Sequence, residues 1–139
     1  MIAPTGTTHF AIPGTDDQIR QTADSLLDIY RQLGLTDRQV SSLKLALDEA
    51  VSNAVHHGHG GDHARTVGID CEWNPEAVTI TVTDQGQGFN WHRMLNPTCK
   101  TNLLKDCGRG LYIISAIMSG VSFNEKGNQI RMTLRREEC

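Results

Sequence analysis

No apolar run in the 139-residue chain approaches the ~18–20 residues needed to span a bilayer, which excludes a transmembrane helix and argues against membrane partners. The start, Met1 to Phe10, lacks a cationic stretch followed by an apolar one, so no signal peptide is indicated and the cytoplasm is the expected compartment. Positive charge is in short supply: 13 Lys and Arg stand against 16 Asp and Glu, a net charge of −3. Without a basic footprint, direct nucleic-acid binding is not expected. Cys71, Cys99, Cys107 and Cys139 form no C-x-x-C pair, so neither a zinc site nor a disulfide framework is indicated, and all four are expected as free thiols. His56, His57, His59 and His63 cluster where a helix meets a Gly-rich loop, but no carboxylate or cysteine stands at ligand spacing, so the cluster is not taken as a metal site.

What is present is ordinary for a globular protein: 38% hydrophobic and 21% charged residues, with no repeat, linker or low-complexity tract. The length suits a single domain over residues 1–139. After a short extended start (His9, Phe10, Ile12), Thr15 or Asp16 can cap a helix in which Ile19, Ala23, Leu26, Leu27, Tyr30 and Leu33 recur at helical spacing and which Gly34 stops. Thr36-Asp37-Arg38-Gln39 reads as a capping box for a second helix, expected to run to about His57 with Gly58 as its C-cap. Val67, Ile69, Cys71 and Trp73 then share one face of a strand, Asn74-Pro75-Glu76 turns the chain, and Val78, Ile80 and Val82 face inward opposite Thr79, Thr81 and Thr83. The irregular stretch Asn90 to Cys107 has the length of a lid. A helix beginning near Gly110 ends before Gly120, and a last hairpin pairs Val121–Asn124 with Gln129–Arg135. Helices segregated from hairpin-connected strands predict an α+β, two-layer sandwich.

Three places break this pattern. Glu49 and Asn53, one turn apart, share a helix face turned ~100–140° from the stripe of Val40, Leu43, Leu47, Ala50, Val51 and Ala54. Their neighbours Ser42, Ala46 and Ser52 are small, so a ligand could approach; a solvated helix face is the alternative. Asp84 continues the inward phase of Val78, Ile80 and Val82, and a carboxylate aimed at the core is costly unless it is hydrogen-bonded. It could accept from an exocyclic amine such as adenine N6, or cap its own Asp-x-Gly turn. Gly86 and Gly88 would let backbone and ligand come close. Gly108-Arg109-Gly110 opens the last helix, whose N-terminal N–H groups favour phosphate, with Arg109 as a further donor.

In this order the segments resemble a known family. Glu49-Ala50-Val51-Ser52-Asn53-Ala54 resembles the N box of the GHKL ATPases, which include histidine kinases and gyrase-type topoisomerases. Asp84-Gln85-Gly86-Gln87-Gly88-Phe89 resembles their G1 box and Gly108-Arg109-Gly110-Leu111 their G2 box, with a lid-sized gap between. The likeness extends over roughly residues 36–135 and is strongest to the anti-sigma-factor serine kinases of the RsbW type, whose lid and final hairpin Asn96-Pro97-Thr98 and Phe123-Asn124-Glu125-Lys126-Gly127-Asn128 resemble.

The resemblance implies the Bergerat (GHKL) ATP-binding fold, with a mixed, mostly antiparallel sheet covered by helices on one face. It implies ATP and Mg²⁺ as cofactors, with Asn53 coordinating the Mg²⁺ that bridges the phosphates and Glu49 as general base toward a serine hydroxyl. Asp84 would read adenine N6, while Gly86, Gly88, Gly108, Gly110 and Leu111 would lie along the nucleotide. Lys105 or Arg109 would stabilise the transferring phosphoryl group, or else be solvated surface charges. Two positions depart from the family: Asn128 stands where many members place a Thr that supports adenine binding, and Cys107 where relatives often have Ser. Asn128 can still donate and accept. The implied activity is phosphorylation of a serine on a STAS-type anti-sigma-factor antagonist, together with sequestration of a sigma factor, by a homodimer. An ATP-binding partner switch with weak or no kinase activity is the alternative, which the presence of Glu49 disfavours.

Overall fold

The computed structural model describes residues 2–86 and 107–136. Five alternating segments pair into one sheet: β1 (Gly6–Pro13), β2 (Thr66–Trp73), β3 (Ala77–Thr83), β4 (Gly120–Phe123) and β5 (Gln129–Arg135), in the order β1-β2-β3-β5-β4. All four neighbouring pairs are antiparallel, so the sheet shows the antiparallel part of the expectation and no parallel pair among the described strands. The β2–β3 turn forms at Asn74, whose Oδ1 accepts from the N–H groups of Glu76 and Ala77 at 2.8 and 2.9 Å. Val67, Ile69 and Cys71 of β2 and Val78 and Ile80 of β3 are fully buried, with Trp73 and Val82 nearly so. On the opposite face Thr79 Oγ1 lies 3.2 Å from Thr133 Oγ1, and Gln129 donates to Thr83 Oγ1.

Among the described residues three helices cover the apolar face: α1 (Asp16–Gln32), α2 (Asp37–Asn53) and α3 (Cys107–Ile117). α1 buries Thr22, Leu26 and Tyr30, each one turn from the next. Thr15 is its N-cap by position, although its side chain makes no capping bond. The helix ends as expected at Gly34 (φ 75°), where Gly34 N–H bonds the Arg31 carbonyl and Leu35 N–H the Tyr30 carbonyl, the two bonds of a Schellman motif. The capping box at Thr36 is complete: Gln39 N–H donates to Thr36 Oγ1, and Thr36 N–H to Gln39 Oε1. Gln39 also donates to the Arg136 carbonyl, which ties the helix start to the chain end of the sheet.

The expected run of α2 to His57 needs correction. Regular α-helix stops at Asn53, and Ala54–Gly58 forms a π-helical turn closed by His59 N–H on the Ala54 carbonyl. Gly58 does not take the left-handed conformation of a C-cap; Gly60 and Gly61 do. α2 packs along α3 and reaches β3 and β5, which puts its Glu49–Asn53 edge beside the start of α3. No helix of the described residues is long and apolar enough to cross a membrane. Apart from Cys107, the expected lid lies outside the described residues.

Candidate functional site

The site is built from two corners joined by the π-turn. At the first corner, Glu49 and Asn53 lie half-buried on one edge of α2, as their spacing predicts. α3 approaches them at a glycine. A methyl group at Gly110 would sit 3.0 Å from Glu49 Oε2, 3.1 Å from Asn53 Nδ2 and 3.3 Å from Asn53 Oδ1. The absence of a side chain at Gly110 therefore lets a carboxylate and an amide press against the first turn of a helix. That turn carries N–H groups without intrahelical acceptors, which makes it favourable to anions. The side chains of Glu49 and Asn53 make no hydrogen bond or ion pair with another described residue. Two oxygen-bearing side chains side by side suit a hard divalent cation, which takes oxygen ligands.

At the second corner, Asp84 follows directly on β3 and is half-buried. Its N–H donates to the Asn128 carbonyl at 2.9 Å, its own carbonyl accepts from Asn128 Nδ2 at 3.0 Å, and its Oδ1 accepts from Gly86 N–H at 2.7 Å. The Asp-x-Gly cap anticipated as an alternative thus does form, but it occupies one oxygen. Oδ2 accepts no hydrogen bond from the described residues. Burial raises the Asp84 pKa, opposed by the Gly86 hydrogen bond and by His59, Arg65 and Lys126. A partly desolvated carboxylate with an open oxygen is a ready acceptor for an amine donor.

Contacts distant in sequence hold this corner. A methyl at Gly58 would overlap the Asp84 carboxyl carbon and lie 2.6 Å from both its oxygens; one at Gly86 would overlap the Gly58 carbonyl. Gln85 is gripped on three sides: its N–H donates to His59 Nε2 at 2.8 Å, its carbonyl accepts from Arg65 at 2.6 Å, and its Oε1 accepts from Thr66 N–H at 3.1 Å. Asn124 Oδ1 gathers the N–H groups of Gly127, Asn128 and Gln129, while its Nδ2 donates to Asn128 Oδ1 at 2.7 Å. The side chain of Asn128 is thereby committed to Asn124 and to the Asp84 main chain.

Of the residues singled out in the sequence, Glu49, Asn53 and Gly110 come together at one corner, and Asp84, Gly86 and Asn128 at the other. Gly108 and Arg109 lie in the first turn of α3; the Arg109 side chain is outside the described structure. The Leu111 side chain is 1% exposed within the core, which leaves only its main chain facing the helix start. Gly88 and Lys105 lie outside the described residues. Sequence reasoning missed Gly58, His59, Arg65 and Asn124. Gly58 carried a visible signal, a glycine at a helix end, but a local C-cap explained it equally well.

A family model described as "Histidine kinase-like ATPase domain" matches residues 12–134. The chain is 28% identical over 141 residues to "Serine-protein kinase RsbW" of Halalkalibacterium halodurans, covering 95% of this chain and 86% of that relative. It is 32% identical over 107 residues to "Anti-sigma F factor" of Clostridium botulinum (strain Eklund 17B / Type B), covering 73% and 74%. Among solved structures, the RsbU and RsbW domains of Rv1364c from Mycobacterium tuberculosis superpose with a TM-score of 0.66 at 20% identity. That match covers 97% of this chain and a third (33%) of the solved one, and it speaks to the fold.

Proposed function

The chain belongs to the histidine kinase-like ATPase domain family, and from that premise we propose that it is an ATP-dependent protein-serine kinase that also acts as an anti-sigma factor. Its substrate in this reading is a serine on a STAS-type antagonist protein, and its second partner is a sigma factor. The relatives named serine-protein kinase and anti-sigma F factor support the two halves of the reading. The observation that carries the enzymatic half is the placing of Glu49 beside Asn53 against Gly110 and the first turn of α3.

ATP binding follows from the family, and Mg²⁺ fits the donors present. Asn53 Oδ1 would hold it, and the cation would supply charge neutralisation to the phosphates. Glu49 would accept the proton of the serine hydroxyl as the γ-phosphoryl group passes to that oxygen and ADP leaves. Asp84 Oδ2 would take the adenine amine, with Asn128 holding the Asp84 main chain in place. Gly108 and Gly110 would leave the N–H groups of α3 open to phosphate, with Arg109, and Lys105 from the lid, as cationic donors. Gly86 and Gly88 would line the approach. The protein would work as a cytoplasmic homodimer.

The test incubates the protein with labelled ATP, Mg²⁺ and a STAS-domain protein from the same organism, and reads which residue carries the label. Label on a serine, lost in Glu49→Ala while that variant still binds ATP, is the expected result. Transfer at the wild-type rate in Glu49→Ala would remove Glu49 as the base. ATP binding without label in the wild type would favour the partner switch lacking kinase activity.

A further inference from the structure

His59 directly follows the π-turn and is 5% exposed. Its Nε2 accepts the Gln85 N–H at 2.8 Å. An accepting ring nitrogen carries no proton, so the neutral imidazole holds its proton on Nδ1, and Nδ1 is buried with no partner among the described residues. A second proton would have to enter at Nε2, the atom that faces the Gln85 N–H. The hydrogen bond would then become a donor–donor contact. The other two grips on Gln85 come from Arg65 and from Thr66 N–H and do not involve the imidazole. The charged groups facing the ring are Arg65, Asp84 and Asp62, with Lys126 acting in turn on Asp84. Burial and Arg65 lower the His59 pKa; Asp84 and Asp62 oppose them without reversing the direction.

We propose that His59 is a positioning residue for the nucleotide site: its neutral imidazole holds the Gln85 main chain, and through it Asp84, so protonating His59 weakens nucleotide binding. This rests on the ATP-binding reading of the Asp84 corner. The coupling is short. Asp84 and Gly86 flank Gln85, Gly86 N–H is bonded to Asp84 Oδ1, and Gly58 abuts both. A displaced Gln85 N–H cannot leave the carboxylate where it was. Because the folded pKa lies below the ordinary value near ~6.5, the tether is complete above that pH and is lost as pH falls through the folded value.

The experiment measures Mg·ATP affinity by calorimetry from about pH 8 down to the onset of acid unfolding in wild type, His59→Gln and His59→Phe. The Gln side chain can place an amide oxygen near the Nε2 position, an acceptor that does not titrate, and so serves as the conservative rescue. Wild type is expected to lose about three- to tenfold more affinity across the range than His59→Gln, the worth of one hydrogen bond. His59→Phe is expected to bind weakly at every pH. Titration of the ATP phosphates is common to all three proteins and cancels in the comparison. Parallel profiles in wild type and His59→Gln would overturn the proposal, and that comparison stands even if the Phe variant fails to fold. Absence of binding in the wild type itself would overturn the nucleotide-site reading instead.

Discussion

Gly→Ala in a helical segment normally stabilises by about 0.5–1 kcal/mol; at Gly58 the opposite is expected. The added methyl would overlap the Asp84 carboxyl carbon and lie 2.6 Å from both oxygens, where ordinary contact is 3.4–4 Å. Asp84 cannot swing aside cheaply, because its Oδ1 is bonded to Gly86 and its main chain to Asn128 in both directions. Either the carboxylate or the π-turn must move by about an ångström, and overpacking of that kind costs about 1–3 kcal/mol. After subtracting the helical gain, Gly58→Ala should lose about 0.5–2 kcal/mol, a fall in Tm of roughly 2–7 °C for a chain of this size. Nucleotide affinity should fall further, because a displaced carboxylate forfeits a charge-assisted hydrogen bond, a loss of roughly 10- to 150-fold. Thermal unfolding with and without Mg·ATP, and calorimetric titration, read the two effects separately. In an Asp84→Ala background the same substitution should be neutral or stabilising, since the obstructing carboxyl is gone. Wild-type Tm and affinity in Gly58→Ala, or an equal loss in both backgrounds, would refute the packing argument.

Two further substitutions probe the energetics of buried polar groups. The raised Asp84 pKa means that its stabilising effect is complete below the unfolded value of about 3.9 and is lost as pH rises through the folded value. Asp84→Asn, which keeps an oxygen for Gly86 N–H, should therefore gain Tm relative to wild type as pH is raised from about 3 to about 7, while losing its thermal shift with Mg·ATP; a Tm gap independent of pH would contradict the desolvation argument. The Tyr30 hydroxyl is buried without a partner among the described residues, and its pKa is raised, chiefly by burial. Tyr30→Phe should be neutral or stabilising by up to about 1 kcal/mol in urea unfolding, and a loss of that size would mean that the hydroxyl is hydrogen-bonded after all.

Features governed by near neighbours in the chain were legible before any coordinates. The Thr36–Gln39 capping box, the stop at Gly34, the Asn74 turn and the alternation of β2 and β3 each depend on residues a few positions apart, and each forms as read. The adjacency of Glu49 and Asn53 follows from helical period alone. The order of the three Gly- and acid-bearing segments pointed to the family that the comparison with known proteins shows. Tertiary structure decided the rest, because the deciding contacts join residues remote in sequence. Gly110 had to be brought from α3 to α2 before the Glu49–Asn53 pair had a partner surface. Asn128 holds Asp84 from 44 positions away, and His59 holds Gln85 across 26. Gly58 shows the difference most sharply. Read locally it is a helix terminator. In the folded chain its missing side chain is the space that the Asp84 carboxylate occupies, a steric requirement that no local pattern encodes.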